Sequence, residues 1–194
     1  MKIVFASQNE HKIGEINQIA KTFGSTVEFT APSKNFDPIE NGKTFIENAE
    51  IKALDAMHVE KEGRKFFLAD DSGLCIDALD GEPGLKSARY APTNDERIQK
   101  VLKNLDGTQT RKAHFVCAMV LCNEKGEVLY TTEGFCHGEI ALKAQGKGGF
   151  GYDPIFTPVG FDCTIAQIKD EEKNEISHRG KALREVLEWI ARAI

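Results

Sequence analysis

Residues 69–74 read Ala-Asp-Asp-Ser-Gly-Leu, which sets two adjacent carboxylates, a hydroxyl and a glycine directly after the apolar run Phe66-Phe67-Leu68-Ala69. A run of that length reads as a short buried strand, so Asp70 and Asp71 are expected where it ends and its side chains leave the interior. Successive strand residues point to opposite faces, which predicts different jobs for the two aspartates. One would hold a metal or activate water while the other steadies the turn. Turn-forming residue types alone also produce an ordinary loop of this composition, so the rest of the chain must decide.

Three more stretches carry chemistry-bearing side chains. Ser7-Gln8-Asn9-Glu10-His11-Lys12 follows the apolar segment 2–6 and precedes Ile13, Ile16, Ile19, Ala20 and Phe23 at helical spacing. It therefore reads as a strand-to-helix junction. A helix N-terminus presents unpaired amide donors and a positive dipole end, which seats phosphate, and Ser7, Asn9 and Lys12 would add donors. Plain N-capping by Ser7 or Asn9 accounts for the same residues. The P-loop pattern is absent. Gly146-Lys147-Gly148-Gly149-Phe150-Gly151 satisfies G-x-G-x-x-G, but it runs into Tyr152-Asp153-Pro154, where proline disfavours helix at Asp153. It reads as a flexible loop that lets backbone approach a ligand, with Phe150 available to stack on a planar group. His178 and Arg179 fall in the first turn of a helix expected after Ser177, where cations oppose the dipole at a cost of up to about 1 kcal/mol each; a ligand explains that placement better than stability does.

The elements that must position these groups follow from period and caps. Thr44 and Glu47 form a capping box for a helix to about His58, with Phe45, Asn48, Ala49 and Lys52 on one stripe, an odd mixture for a pure core. Residues 25–43 read as a polar connection. Residues 74–78 read as a second strand after the aspartates. Thr93 and Glu96 open a structural helix with Ile98, Val101, Leu102 and Leu105 inward. Residues 113–122 and 127–136 form a hairpin about Asn123-Glu124-Lys125-Gly126, and residues 138–142 a third strand. The last helix buries Leu183, Val186, Leu187, Ile190 and Ile194. Helices with at least one hairpin predict an α/β or α+β fold with a mixed sheet.

A chain of 194 residues fits one domain, 1–194, able to bury a core without staples. Its five cysteines (Cys75, Cys117, Cys122, Cys136, Cys163) show no C-x-x-C spacing and read as reduced core residues of a cytosolic protein. Neither a secretory leader nor a membrane span is visible, which predicts a cytoplasmic protein. A net charge of −5 gives no global field for nucleic acid or an anionic membrane, so any polyanion must be caught locally.

Taken together, Ser7-x-Asn9-x-x-Lys12, Thr44-Phe45-Ile46-Glu47-Asn48-Ala49 with Lys52, Ala69-Asp70-Asp71-Ser72-Gly73-Leu74, Ser87-Ala88-Arg89-Tyr90-Ala91, Phe150-Gly151-Tyr152-Asp153-Pro154-Ile155-Phe156 and Ser177-His178-Arg179 stand in one order along the chain. The sequence resembles the inosine/xanthosine triphosphate pyrophosphatase family over almost its whole length. Asn41 and Pro92 depart locally from the family pattern. The resemblance implies an elongated mixed β-sheet with flanking helices forming two lobes around a central active-site cleft, a homodimer, and hydrolysis of non-standard purine nucleoside triphosphates (ITP, dITP, XTP) to the monophosphate and pyrophosphate. It implies Mg²⁺ as cofactor, with Mn²⁺ substituting. By the same resemblance Asp71 is the proton acceptor and a metal ligand, Glu40 and Asp70 support the metal, and Lys52 is catalytic. Ser7, Gln8, Asn9, Glu10, His11, Lys12, Ser72 and Lys173 would contact triphosphate or ribose, and Phe150, Gly151, Tyr152, Asp153, His178 and Arg179 the base. A nucleotide-binding regulator would not need the Asp70-Asp71 pair; a phosphatase acting on the terminal phosphate would share the metal chemistry and differ in product.

Overall fold

The computed structural model describes residues 1–33, 35–60 and 63–194. The strands of the described residues are β1 (Lys2–Phe5), β2 (Glu28–Thr30), β3 (Phe66–Ile76), β4 (Lys112–Asn123), β5 (Val128–Ile140) and β6 (Phe156–Pro158), and they hydrogen-bond in the order β2-β1-β3-β4-β5-β6. β1 runs parallel to β2 and β3, whereas β5 and β6 are antiparallel, so the sheet is mixed. With α1 (Glu10–Thr22), α2 (Phe45–Val59), α3 (Asn94–Asn104), α4 (Asp170–Ile176) and α5 (His178–Ala193) flanking it, this is the expected α/β class. Among the described residues no helix is long and apolar enough to cross a membrane, and the cysteines form no disulfide.

The chain divides into two compact units. The first comprises Met1–Asp71, Cys117–Gly134 and His178–Ile194. Its strands are covered on both faces. Ile3, Phe5, Leu68, Cys117, Met119 and Leu121 pack with Ile16, Ile19 and Ala20 of α1 and with Ala182, Leu183, Val186 and Ile190 of α5. Their strand neighbours Val4, Ala6, Phe67, Ala69, Val120 and Cys122 pack with Ala49, Ala53 and Ala56 of α2. Period two therefore sorts each strand residue to α1 and α5 or to α2. Burial of a single Phe or Leu there stabilises by about 1.5–3 kcal/mol, which holds the register firmly.

The helix starts follow their caps. Asn9 accepts from the amides of His11 (3.0 Å) and Lys12 (3.3 Å), the capping the sequence allowed for. Thr44 accepts from Glu47 N at 3.1 Å, but the Glu47 carboxylate returns to Lys43 N at 2.6 Å instead of to the cap residue. α3 has the full reciprocal box between Thr93 and Glu96. The stripe on α5 is as expected except Ile194, which lies beyond the helix end and is exposed.

The second unit comprises Ser72–Val116 and Phe135–Ser177. Its core gathers Leu74 and Ile76 of β3, Ile98 and Val101 of α3, Phe115 of β4, Cys136 and Ile140 of β5, and Tyr152, Ile155 and Phe156. A 3-10 turn at Gly84–Arg89 is tied to β3 by Ser87, whose hydroxyl accepts from Leu74 N at 2.9 Å and donates to Gly84 O at 2.6 Å.

Three expectations are corrected, and one helix that was not expected is added. Residues 66–69 and 74–78 are not two strands: β3 runs unbroken from Phe66 to Ile76, because Asp70 is neutralised inside the protein and the chain need not leave the interior. Residues 138–142 are not a third strand, since β5 continues through Gly138 to Ile140; a Cβ at Gly138 would meet Thr157 O at 2.2 Å, and its absence lets β6 pair there. The polar connection 25–43, of which Lys34 lies outside the described residues, contains β2, a three-residue strand anchored by buried Phe29. Asp170–Ile176 is helical, a short element whose three acidic residues in the first turn suit the dipole.

Gly134 of β5 lets the start of α5 approach its backbone: a Cβ there would fall 2.2 Å from His178 O and 2.6 Å from Ala182 N. Gly134→Ala is therefore expected to lower unfolding free energy by about 1–3 kcal/mol, since backbone on both sides must move. Urea denaturation gives the value, and an unchanged midpoint would mean that α5 is not held against β5 this closely.

Candidate active site

The period-two sorting in the first unit decides what the two aspartates meet. Asp70 shares its parity with Leu68 and faces α1 and α5; Asp71 shares its parity with Phe67 and Ala69 and faces α2. The opposite faces give the two aspartates different electrostatic environments, and neither steadies a turn, since β3 runs through both.

Asp70 is fully buried. It receives Lys12 Nζ of α1 at 2.9 and 3.1 Å and Arg179 of α5 through Nη2 at 2.9 Å and Nε at 3.2 Å. Burial pushes its pKa up, but Lys12, Arg179 and Lys52 outweigh burial and hold it well below the ordinary carboxylate range. Burial pulls Lys12 down, helped by the like charges of Lys52 and Arg179 and opposed by Asp70. Arg179, 2% exposed, also donates to Glu15 of α1, and its charge is held firmly on despite burial. The dipole penalty on Arg179 is thus offset within the protein by Asp70 and Glu15. Glu15 was not singled out in the sequence, although its place three residues after Lys12 puts both on one helix face.

Asp71 is reached from α2. Asn48 Nδ2 donates to its Oδ2 at 3.1 Å and Lys52 Nζ to its Oδ1 at 3.4 Å. Burial raises the Asp71 pKa more than Lys52 and Asn48 lower it, and Asp70 and Glu40 add to the rise. An Asp71 carboxylate made more basic and left partly open to solvent is suited to accept a proton. Lys52 also lies 3.2 Å from Glu40 Oε1. Burial acts against its charge, but the surrounding Asp70, Asp71 and Glu40 prevail and raise its pKa. Asn48 further accepts from Gly42 N at 2.8 Å, and a Cβ on Gly42 would sit 2.7 Å from that Asn48 oxygen, so one buried amide ties the Glu40 loop to Asp71. The odd polar stripe on α2 was the signal for Asn48; its partner strand could not be read from spacing.

The structure brings Glu40, Asn48, Lys52 and Asp71 together, and likewise Lys12, Glu15, Asp70 and Arg179. Ser7 Oγ accepts from Asn9 N at 3.1 Å, the Gln8 amide donates to Phe36 O, and Glu10 and His11 are exposed. His178 stands beside Arg179 at the start of α5, 8% exposed, and Ser72 is half-buried on β3.

Within the second unit, Asp153 organises the glycine-rich loop. Its Oδ2 accepts from Phe150 N and from Lys173 Nζ, both at 2.9 Å, and the Lys173 ammonium lies 5.2 Å from the Phe150 ring centroid. Gly149 has φ +68°, and a Cβ there would meet that carboxylate at 2.1 Å, so this turn requires glycine. Tyr152 is buried with its hydroxyl donating to Ser87 O at 2.9 Å, and Gly151 O accepts from Asn94.

Glu40 and Asp71 already share one cation, the Lys52 ammonium, so the pair suits a positive ion. No group of three or more His, Cys, Asp or Glu able to hold a metal is found among the described residues. That donor set fits Mg²⁺, which takes one or two carboxylates and completes its shell with water and substrate phosphates.

The Ham1 family model matches residues 3–189. The chain belongs to the Ham1 family. Among its Ham1 relatives, a protein named dITP/XTP pyrophosphatase from Prochlorococcus marinus is 40% identical over 186 residues, covering 96% of this chain and 95% of that one. One of the same name from Treponema denticola is 42% identical, with 98% of each chain covered. Of solved structures, a HAM1 protein from Coxiella burnetii is 41% identical with a TM-score of 0.86 and full coverage of both chains. The Staphylococcus aureus Ham1 protein is 38% identical with the same TM-score and coverage.

The contrast between the aspartates is measurable. Asp70→Asn strands two cations and is expected to cost about 3–5 kcal/mol of stability at neutral pH, whereas Asp71→Asn costs about 1 kcal/mol or less. The folded pKa of Asp70 lies below its unfolded value, so its contribution is complete above about pH 4 and is lost as pH falls through the folded value. Urea melts of both variants decide the matter; equal losses would mean that the ion pairs around Asp70 contribute no more than the contacts of Asp71.

Proposed function

We propose that the chain hydrolyses non-standard purine nucleoside triphosphates (ITP, dITP, XTP) to the nucleoside monophosphate and pyrophosphate. The observation that carries this reading is Asp71: a carboxylate oriented by Asn48 and Lys52 beside Glu40, in a Ham1 chain with relatives named dITP/XTP pyrophosphatase. Asp71 accepts a proton from the attacking water. Asn48 fixes the direction of the carboxylate. Lys52 keeps Glu40 and Asp71 close and offers positive charge to the triphosphate. Ser7 and Lys12 are our candidates for further phosphate contacts. Asp71 and Glu40 would hold Mg²⁺, or Mn²⁺ in its place; bound there it supplies neutralisation of phosphate charge and a more acidic water. Phe150, positioned by Asp153 and Lys173, is proposed to stack on the base. Homodimeric assembly and cytoplasmic residence belong to the same proposal.

For the base, the 6-keto oxygen of ITP and XTP is an acceptor, whereas the 6-amino group of ATP presents donors. His178 is our candidate reader. Arg179 gives its guanidinium to Asp70 and Glu15, so its proposed part is to fix the first turn of α5, and Arg179→Ala would confound base reading with loss of fold.

Two outcomes are expected. Asp71→Asn should lower kcat by about 10² to 10⁴ while the melting profile stays near wild type, because general-base catalysis is typically worth that much. Near wild-type turnover would remove Asp71 from the chemistry. With Mg²⁺, ITP and XTP should yield pyrophosphate, and ATP should be poorer in kcat/KM by about 10² or more, since donors left unpaired in a hydrogen-bonding site discriminate strongly. Orthophosphate as the sole phosphorus product would favour a terminal phosphatase, and equal rates for ATP and ITP would show that the 6-position is not read.

A further inference from the structure

In the second unit, β4 and β5 carry aromatic side chains on the face opposite its apolar core. Along β4, Ala113 and Phe115 point into the core while His114 between them points away; along β5, Cys136 points in while Phe135 and His137 point away. The two imidazoles thus lie on the same face of adjacent strands, with ring centroids 5.6 Å apart and planes inclined at 42°. Phe135 is 37% exposed and flanks both rings, at 5.9 Å from His114 and 6.1 Å from His137. None of these residues enters the chemistry assigned to Asp71.

Cross-strand neighbours are held about 4.5–5.5 Å apart at Cβ by the ladder itself, a separation the backbone sets without further organisation. Zinc–imidazole bonds are about 2.0–2.1 Å long, so two imidazoles on one tetrahedral ion have ring centroids about 5 Å apart. The observed 5.6 Å is within a few tenths of that bite. Rotation about the side-chain torsions turns one nitrogen of each ring to a shared ion. We infer that His114 and His137 form a two-histidine chelate for a borderline divalent transition metal such as Zn²⁺, Ni²⁺ or Cu²⁺, with water completing its shell.

The charge environment supports this. Asp77, just past the end of β3, acts electrostatically on His114. Asp77 also contributes a negative charge close to where a cation would sit. Imidazole donors suit Zn, Ni and Cu, whereas Mg²⁺ prefers oxygen, so this pair is chemically separate from the carboxylates of the first unit.

The test is a Zn²⁺ titration of the full chain, without nucleotide, followed through the ring ¹⁵N resonances of its five histidines. His114 and His137 should shift together with a single midpoint. In His114→Gln the His137 shift should be lost, and in His137→Gln the His114 shift, while far-UV circular dichroism and Mg²⁺-supported hydrolysis of ITP stay at wild-type level in both. Because the readout is ring resonances and not turnover, failure of the proposed hydrolysis would leave the test standing. A His137 shift that survives His114→Gln, or shifts confined to His11, His58 or His178, would overturn the chelate and leave the two rings as a packed cross-strand pair.

Discussion

A fully buried carboxylate on a central strand is tolerated only where its charge is met, and Asp70 is met from two helices at once. Lys12 lies in the first turn of α1 and Arg179 in the first turn of α5, so both helix starts are fastened to the same point of β3. Removing either cation leaves a charge in the interior, which is why such a cluster constrains geometry even where its net contribution to stability is modest. Glu15 closes the arrangement by taking the remaining side of the Arg179 guanidinium. The unbroken run of β3 through its aspartates depends on this neutralisation.

The neighbouring position shows the opposite solution. Asp71 points to α2, whose Lys52 and Asn48 approach it without burying it completely, and desolvation then outweighs its partners. One residue step along a strand separates a carboxylate held ionised from a carboxylate made more basic. The difference comes from how many cations converge on each: Lys12, Arg179 and Lys52 act on Asp70, while Lys52 alone acts strongly on Asp71 and is shared with Glu40. The strand thus carries, side by side, an ion-paired carboxylate and one whose pKa is raised.

Glycine and amide side chains do the local positioning. Gly42 admits the Asn48 oxygen, Gly149 admits the Asp153 carboxylate, and Gly134 admits the backbone at the start of α5. In each case a methyl group would collide with an atom of the polar framework or with backbone, so close packing and polar contact are the same requirement.

Much was legible from residue order alone. Alternation placed Asp70 and Asp71 on opposite faces, Ser7 or Asn9, Thr44 and Thr93 marked three helix starts, and the Asn48 and Lys52 stripe stood out as odd for a pure core. The mixed α/β class and the loop character of residues 146–151 were equally local inferences, because they rest on periods and turn chemistry that neighbours in sequence decide. What the order of residues could not decide was which charges meet. Lys12, Asp70 and Arg179 are separated by 58 and 109 positions, and no periodicity connects them. Only the tertiary structure brought them together, and with them the continuity of β3, since a strand that appears to end at a charge continues when that charge is neutralised by residues distant in the chain.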